Sequence, residues 1–267
     1  MTRVISGTLL LLGVVASLWF LPPIYLLGVA LTVALLAFRE YVGIVARAGV
    51  AVSKPAGATA TALMCVAVAI PGLPVEAALA GVVLGLSAVA LANAMGDQAG
   101  KETSGALYVA AVSAFAPLYL GVPLGLLSAT RWTLGREATL LLILAVAASD
   151  TVQYYCGRLF GRHLLAPAIS PKKTVEGAIG GFVGAAAAVA VLGHWWLPQI
   201  GTAGRLGLGL VLAAVGIVGD LFESLLKRSV GLKDASSVVP GHGGVLDRID
   251  ALLFAAPVYY VFVRYSF

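Results

Sequence analysis

The sequence predicts an all-α protein that crosses a membrane several times, and its composition and run lengths support this class. Of its 267 residues, 60% are hydrophobic and 11% are charged, and its mean hydropathy is +1.00. Soluble domains carry about 25% charged residues. The apolar runs have the length of about 17 to 25 residues that a spanning helix needs, and they do not alternate like the ~10-residue strands of a membrane β-barrel.

Proline, glycine and charged residues divide the chain into nine predicted spans. The first follows Arg3 and resembles a signal peptide, but its apolar run continues to Phe20, so we interpret it as a helix. The second ends in a polar turn that contains Glu40. The third is the shortest. The predicted spans are residues 4–21, 23–47, 57–72, 75–95, 105–127, 138–156, 174–196, 205–228 and 245–264.

The distribution of lysine and arginine predicts the orientation. Nine spans place eleven cations on the side of the N-terminus: Arg3, Arg47, Lys54, Lys101, Arg158, Arg162, Lys172, Lys173, Lys227, Arg228 and Lys233. The other side has four: Arg131, Arg136, Arg205 and Arg264. Because positive charge stays in the cytoplasm, the N-terminus is expected there and the C-terminus outside. The net charge of +5 therefore follows mostly from topology and does not indicate nucleic-acid binding.

The chain also divides by its chemistry. Residues 1–130 are predicted to be N-terminal transmembrane helices, and residues 138–267 a catalytic transmembrane region with cytoplasmic loops 157–173 and 229–244. Runs rich in glycine and alanine, such as residues 180–190, suit close helix packing in lipid and are compatible with a homodimer. The expected location is the inner membrane of the cell.

Asp220 lies inside the eighth predicted span. A carboxylate at that depth is costly unless it is paired, bound to a metal or facing water. Helical spacing places Asp220, Ser224 and Lys227 or Arg228 on one face. An internal salt bridge, for example between Glu223 and Lys227, is the alternative explanation.

Asp247 and Asp250 open the ninth span, one helical turn apart. If the eighth and ninth helices are simply antiparallel, Asp220 is level with Asp250, whereas a loop that dips into the bilayer would favour Asp247. Two or three acidic side chains together with phosphate oxygens usually hold Mg²⁺. Both carboxylates are therefore candidates.

A glycine-rich turn precedes this span. Gly241, Gly243 and Gly244 flank His242, and their amides can form a nest for an anion. His242 can donate to a phosphate, carry a proton or hydrogen-bond its own loop.

Asp150 is another carboxylate among apolar residues, in the sixth span. Lys172 and Lys173 precede a helix that starts near Thr174, which Thr174 or Ser170 can cap, so an anion site is predicted there. Positive-inside topology and attraction to anionic headgroups are the alternative explanation for the two lysines.

These residues resemble the phosphatidate cytidylyltransferase family, the CDP-diacylglycerol synthases. The resemblance covers residues 145 to 267 and has two visible departures, at Val239 and at Val152-Gln153. The matching residues near the C-terminus are Ser224, Lys227-Arg228, Lys233-Asp234, Ser236, Pro240, His242-Gly243-Gly244 and Asp247-Arg248-Ile249-Asp250. Upstream they are Asp150-Thr151, Tyr154, Gly157-Arg158, Gly161, Ser170-Pro171-Lys172-Lys173-Thr174 and Glu176-Gly177.

The resemblance implies that phosphatidic acid attacks the α-phosphorus of CTP and gives CDP-diacylglycerol and pyrophosphate. Asp220 and Asp247 would hold Mg²⁺, with Asp250 as support and Asp150 as a further candidate. A second metal ion is compatible with this set. The implied phosphate ligands are Lys227, Arg228, Lys233 and Arg248, with Ser224 orienting a phosphate oxygen, His242, Gly243 and Gly244 near the nucleotide, and Lys172 and Lys173 at the lipid headgroup.

Two other classes of function stay open on the sequence. An ion-coupled or proton-coupled transporter would also place Asp150, Asp220 and Asp247 within the membrane. Such proteins usually contain inverted repeats, and we find no repeat in this sequence. A non-catalytic membrane scaffold would give no reason for deep carboxylates that face several cations.

Overall fold

The described part of the protein is almost entirely helical. The computed structural model describes residues 13, 15–96, 105–233, 236 and 243–266. The helices are α1 (Pro23–Arg47), α2 (Lys54–Ala69), α3 (Val75–Gly96), α4 (Ala106–Ala116), a π-helical turn (Pro117–Gly121), α5 (Val122–Thr133), α6 (Gly135–Phe160), α7 (Val175–Trp196), α8 (Thr202–Ser229) and α9 (Leu246–Tyr265). Between α6 and α7, β1 (Leu164–Ala166) and β2 (Ser170–Thr174) form an antiparallel hairpin.

Six described segments are long and apolar enough to cross a bilayer, which agrees with an all-α multi-pass membrane protein. The predicted count of about nine spans is not confirmed. Most of the first predicted span lies outside the described residues, and α2 has only 16 residues. In α9, charged residues near the start leave fewer successive apolar residues than a span needs. The six segments are Pro23–Arg47, Val75–Asn93, Ala106–Thr133, Gly135–Phe160, Val175–Trp196 and Thr202–Ser229.

The largest boundary difference concerns the span predicted at residues 105–127. The observed helix continues to Thr133 and contains Pro117 and Pro123. Proline lacks the N–H that an α-helix needs in its interior, and a π-helical turn is one way a helix accommodates such an interruption. Near the end of this helix, Thr130 and Thr133 donate their hydroxyls to carbonyls one turn earlier, so these polar groups are paired within the helix.

Helices of this protein approach each other closely at glycines. A Cβ atom placed on Gly125 of α5 would lie 2.6 Å from the carbonyl oxygen of Cys65 in α2. A Cβ atom on Gly184 of α7 would lie 2.9 Å from the carbonyl oxygen of Ala148 in α6. Small residues allow backbones to touch, so van der Waals packing can hold helices together in lipid. Close packing was predicted for residues 180–190, and Gly184 confirms it.

One hydrophobic core joins the two regions into which the sequence divides the chain. Tyr41 and Leu124 come from the N-terminal helices, and Leu142, Leu212 and Tyr259 come from the C-terminal region. The Tyr259 hydroxyl donates to the carbonyl of Ala138 at 2.7 Å. The N-terminal helices therefore pack directly against the helices that carry the candidate site.

The glycine contacts predict a sharp effect of a small substitution. Gly125→Ala is expected to lower the free energy of unfolding by about 1–3 kcal/mol, because the added methyl group overlaps the backbone of α2. Thermal unfolding in detergent, followed by tryptophan fluorescence, measures this change. Gly85→Ala in α3 is the control, since a Cβ atom there has no neighbour within 4 Å. Equal stability of the two variants would contradict the prediction.

Candidate active site

Helices α8 and α9 pack against each other because Gly219 has no side chain. A Cβ atom on Gly219 would lie 2.5 Å from the carbonyl oxygen of Asp250. This contact brings Asp250 level with the neighbour of Gly219, which is Asp220. It is the register that a simple antiparallel arrangement of the two helices predicted.

Three aspartates and one lysine form the first charged group of the site. Lys173, from strand β2, makes an ion pair with Asp220 of α8, and their side chains are 14% and 31% exposed. The negative charge of Asp250 interacts with those of Asp220 and Asp150 and with the positive charge of Lys173. Asp220 thus pairs with Lys173, and Asp150 and Asp250 lie close enough to interact electrostatically with both. A bound cation would stabilise the negative charge of three acidic side chains so close together.

A pocket of about 560 Å³ opens beside this group. Its lining includes Lys172 and Lys173 from strand β2, Asp150 from α6 and Asp220 from α8. The pocket therefore presents positive and negative groups together, as a site for a metal ion and phosphate oxygens requires.

The second charged group is centred on Lys227. Its Nζ lies 2.5 Å from Oε2 of Glu223 and also contacts Oδ1 of Asp247. The Glu223 side chain is 1% exposed, so its charge depends on this lysine for compensation. The pair between Glu223 and Lys227, which the sequence left as an alternative, is present. Lys227 is thus a counter-ion of two carboxylates here, and its predicted contact with phosphate stays a prediction.

The glycine turn before α9 positions Asp247. Gly243 has a φ of 80°, a conformation that glycine adopts without strain. The Gly244 amide donates to Oδ2 of Asp247 at 2.7 Å. The amides of this turn were predicted to bind an anion. In the structure the Gly244 amide binds the carboxylate of Asp247 and orients it. Gly241 and His242, the other predicted members of that turn, lie outside the described residues.

The β-hairpin holds the two lysines at the pocket. The Thr174 hydroxyl accepts a hydrogen bond from the Gly177 amide at 3.1 Å, which confirms Thr174 as the predicted cap of α7. Glu176 accepts from the amides of Arg162 and His163 at 3.0 and 3.2 Å. These bonds tie both ends of the hairpin to the start of α7 and fix the position of Lys173.

A model of the cytidylyltransferase family matches residues 1–266. The chain belongs to this family. It is 46% identical over 131 residues to a phosphatidate cytidylyltransferase of Synechocystis, covering 48% of the chain and 44% of that relative. With the enzyme of the same name from Helicobacter pylori it shares 37% identity over 185 residues, 69% of the chain and 64% of the relative. The chain thus aligns with less than two thirds of the length of either relative.

The structure describes five further predicted site residues of this member of the cytidylyltransferase family. Ser224 is half-buried on α8, and Lys172, Lys233 and Arg248 are exposed. Arg228 donates from Nε to the carbonyl of Ile169 at 3.3 Å and from Nη1 to that of Leu232 at 3.0 Å. In this structure Arg228 therefore links the hairpin to the loop after α8.

One residue that contacts the site, Glu40, was not predicted to do so. It was expected in a polar turn at the end of the span at residues 23–47, but it lies within α1, which has these bounds, and it is 5% exposed. The carboxylate of Glu40 accepts hydrogen bonds from the turn that precedes Asp247. The rule that singled out Asp150 and Asp220, an acidic residue within an apolar span, also applies to Glu40.

The Lys227 ion pairs predict a compensating double substitution. Lys227→Met is expected to lower the free energy of unfolding by about 3–5 kcal/mol, because it leaves Glu223 and Asp247 without their shared cation. Thermal unfolding in detergent measures the loss. Lys227→Met with Glu223→Gln is expected to be more stable than Lys227→Met alone, since the deepest unpaired charge is removed. A double variant that is no more stable than Lys227→Met would show that the pair does not carry this energy.

Proposed function

We propose that the protein transfers CMP from CTP to phosphatidic acid and so forms CDP-diacylglycerol and pyrophosphate. The observation that carries the proposal is the pocket lined by Asp150 and Asp220 of the apolar helices α6 and α8 and by Lys172 and Lys173 of the hairpin. Phosphoryl transfer needs positioned charge more than covalent catalysis, and this pocket offers charge of both signs. Relatives named phosphatidate cytidylyltransferase support the choice of substrates.

The donor atoms of the site fit Mg²⁺. Carboxylate oxygens are hard ligands, and Mg²⁺ is usually held by one or two carboxylates together with substrate phosphates and water. Among the described residues, no three acidic, histidine or cysteine side chains are placed to hold a metal ion by themselves. We assign Asp220 and Asp247 as the protein ligands, as the family resemblance implies, and Asp250, which lies level with Asp220, as their support. The metal, when bound, would neutralise charge on the triphosphate.

The reaction needs little acid–base chemistry from the protein. A phosphate oxygen of phosphatidic acid attacks the α-phosphorus of CTP, and the bond from that phosphorus to the oxygen bridging to the β-phosphate breaks. Pyrophosphate leaves with the bonding electron pair. In the proposal, Arg228, Lys233 and Arg248 neutralise the triphosphate and the leaving group, and Ser224 orients a phosphate oxygen. These are the roles that positioned donors and cations have in phosphoryl transfer.

The lipid substrate is proposed to enter from the bilayer beside the hairpin. Tyr154 lines the pocket and is 59% exposed. Leu159 and Phe160 at the end of α6 are also exposed apolar residues. Apolar side chains of this kind can face acyl chains while Lys172 and Lys173 bind the headgroup phosphate.

The proposed orientation follows from the same residues. CTP is a cytoplasmic nucleotide, so the pocket and the loops around it are placed on the cytoplasmic face of the inner membrane. The cation distribution supports that placement. We also propose a homodimer, in which exposed apolar helix faces of two copies would pack together.

The metal assignment predicts the loss of activity in two variants. Asp220→Asn and Asp247→Asn are each expected to lower release of labelled pyrophosphate from CTP by at least about 100-fold, because each removes a charged ligand of the metal. The assay uses purified protein in detergent, with and without phosphatidic acid and Mg²⁺. Glu76→Gln, an exposed carboxylate in the first turn of α3, is the matched control.

Three results would count against different parts of the proposal. Pyrophosphate release that does not need phosphatidic acid would contradict the proposed acceptor, and full activity of both aspartate variants would contradict the proposed ligands. Folded wild-type protein without any release would contradict the proposed function itself.

The headgroup assignment predicts a different kinetic pattern. Lys172→Ala is expected to raise the KM for phosphatidic acid about fivefold, the factor that corresponds to ~1 kcal/mol for one cation near a lipid phosphate. The KM for CTP is expected to stay unchanged. Steady-state kinetics in mixed micelles measure both constants, and Lys54→Ala, an exposed lysine at the start of α2, is the control. Equal changes in both KM values would contradict the assignment.

A further inference from the structure

We propose that Glu40 is a positioning residue of this active site, because it caps α9 from the N-terminal helices and thereby holds Asp247 in place. The inference rests on the proposed function for its kinetic consequences, whereas the capping itself is independent of the reaction. Through Glu40, the N-terminal region (residues 1–130) contributes to the site a carboxylate that caps α9.

Helix α9 begins without a cap of its own. The first amides of a helix have no partner within the helix, and a Ser, Thr, Asp or Asn at the N-cap usually accepts from one of them. Here the N-cap is Val245, whose side chain has no acceptor. The carboxylate of Glu40 accepts from the Val245 amide at 2.9 Å and from the Leu246 amide at 2.8 Å. Glu40 thus places a negative charge at the positive end of the α9 dipole.

Glu40 also holds the loop that leads into α9. The Ser236 hydroxyl donates to Oε1 of Glu40 at 2.6 Å. Gly244 lies so close that a Cβ atom on it would be 2.6 Å from Oε2 of Glu40. Glycine at position 244 therefore allows the carboxylate to reach the two amides that follow it.

The link from Glu40 to the metal ligand is short. Gly244 and Val245 are adjacent, and the Gly244 amide donates to Oδ2 of Asp247 while the Val245 amide donates to Glu40. The same two peptide groups are thus fixed by two carboxylates from different parts of the chain. Displacement of the turn would move the partner of Oδ2 and change how Asp247 is presented.

The cap has a consequence for phosphate binding. A helix N-terminus is an anion site only where its amides are free. In α9 the amides of Val245 and Leu246 are engaged by Glu40. These two amides are therefore not available to the triphosphate, whose charge is left to lysine and arginine side chains in the proposed function.

The test combines kinetics with hydrogen exchange on the full-length protein in detergent. Glu40→Gln removes the charge and one acceptor oxygen while keeping the size of the side chain. Arg39→Gln is the matched control, because it changes an exposed residue adjacent to Glu40 on the same helix. For each variant we would measure kcat, the KM for phosphatidic acid, the Mg²⁺ concentration for half-maximal activity, and amide exchange in a peptide that covers residues 243–250.

Glu40→Gln is expected to lower kcat at least about tenfold and to raise the half-maximal Mg²⁺ concentration severalfold, as loss of a residue that orients a metal ligand does. The KM for phosphatidic acid is expected to stay within about twofold, since Glu40 does not line the headgroup pocket. Exchange of the 243–250 amides is expected to accelerate. Arg39→Gln is expected to resemble the wild type in every measurement.

Other outcomes would overturn the inference. Unchanged exchange and unchanged Mg²⁺ dependence in Glu40→Gln would exclude a positioning role, and so would an equal loss in Arg39→Gln. If Glu40→Gln does not fold, Glu40→Asp keeps the charge on a shorter side chain and is expected to show the same pattern in milder form. A wild type that releases no pyrophosphate would refute the proposed function, and the exchange of residues 243–250 would still decide whether Glu40 caps α9.

Discussion

The compensation of buried negative charge is the constraint on which the rest of the structure depends. Isolated carboxylates among apolar helices are unstable unless a cation or hydrogen-bond donors surround them. Lys227 meets this need for Glu223 and Asp247, Lys173 meets it for Asp220, and backbone amides meet it for Glu40. Apart from the Glu223–Lys227 pair within α8, each pairing joins two different elements of the fold. The arrangement of the hairpin, α1 and the α8–α9 pair is therefore coupled to the charges of the site.

Local signals in the sequence predicted the parts of the fold that depend on local physics. Hydropathy and breaking residues placed α1, α3 and α7 within one residue of their observed bounds, because lipid imposes a length and proline or charge imposes an end. The span at residues 105–127 was predicted too short. Its proline-containing turn is accommodated by a π-helical turn and by packing on α2, and neither appears in a hydropathy pattern.

In the candidate site, too, local signals predicted some features and missed those that depend on packing between distant segments. Depth in an apolar span was enough to single out Asp150 and Asp220, and helical spacing was enough to suggest the Glu223–Lys227 pair. The partner of Asp220 is 47 positions away in sequence, on a strand that no periodicity predicted. Glu40 is still farther from the amides it binds, so only the fold brings them together. Pairings between distant segments depend on tertiary packing and were not predictable from either segment alone.

Gly219 carries no functional group, yet the geometry of the charged groups depends on it. A Cβ atom on Gly219 would overlap the carbonyl oxygen of Asp250 and would also lie 2.9 Å from the ring of Phe254, so there is no room for a side chain here. Any larger residue would have to separate the two helices that carry Asp220 and Asp250. Substitutions are therefore restricted at glycines such as Gly219, where a side chain would overlap the neighbouring helix, as well as at the charged side chains. Screens restricted to polar residues would overlook one of its most constrained positions.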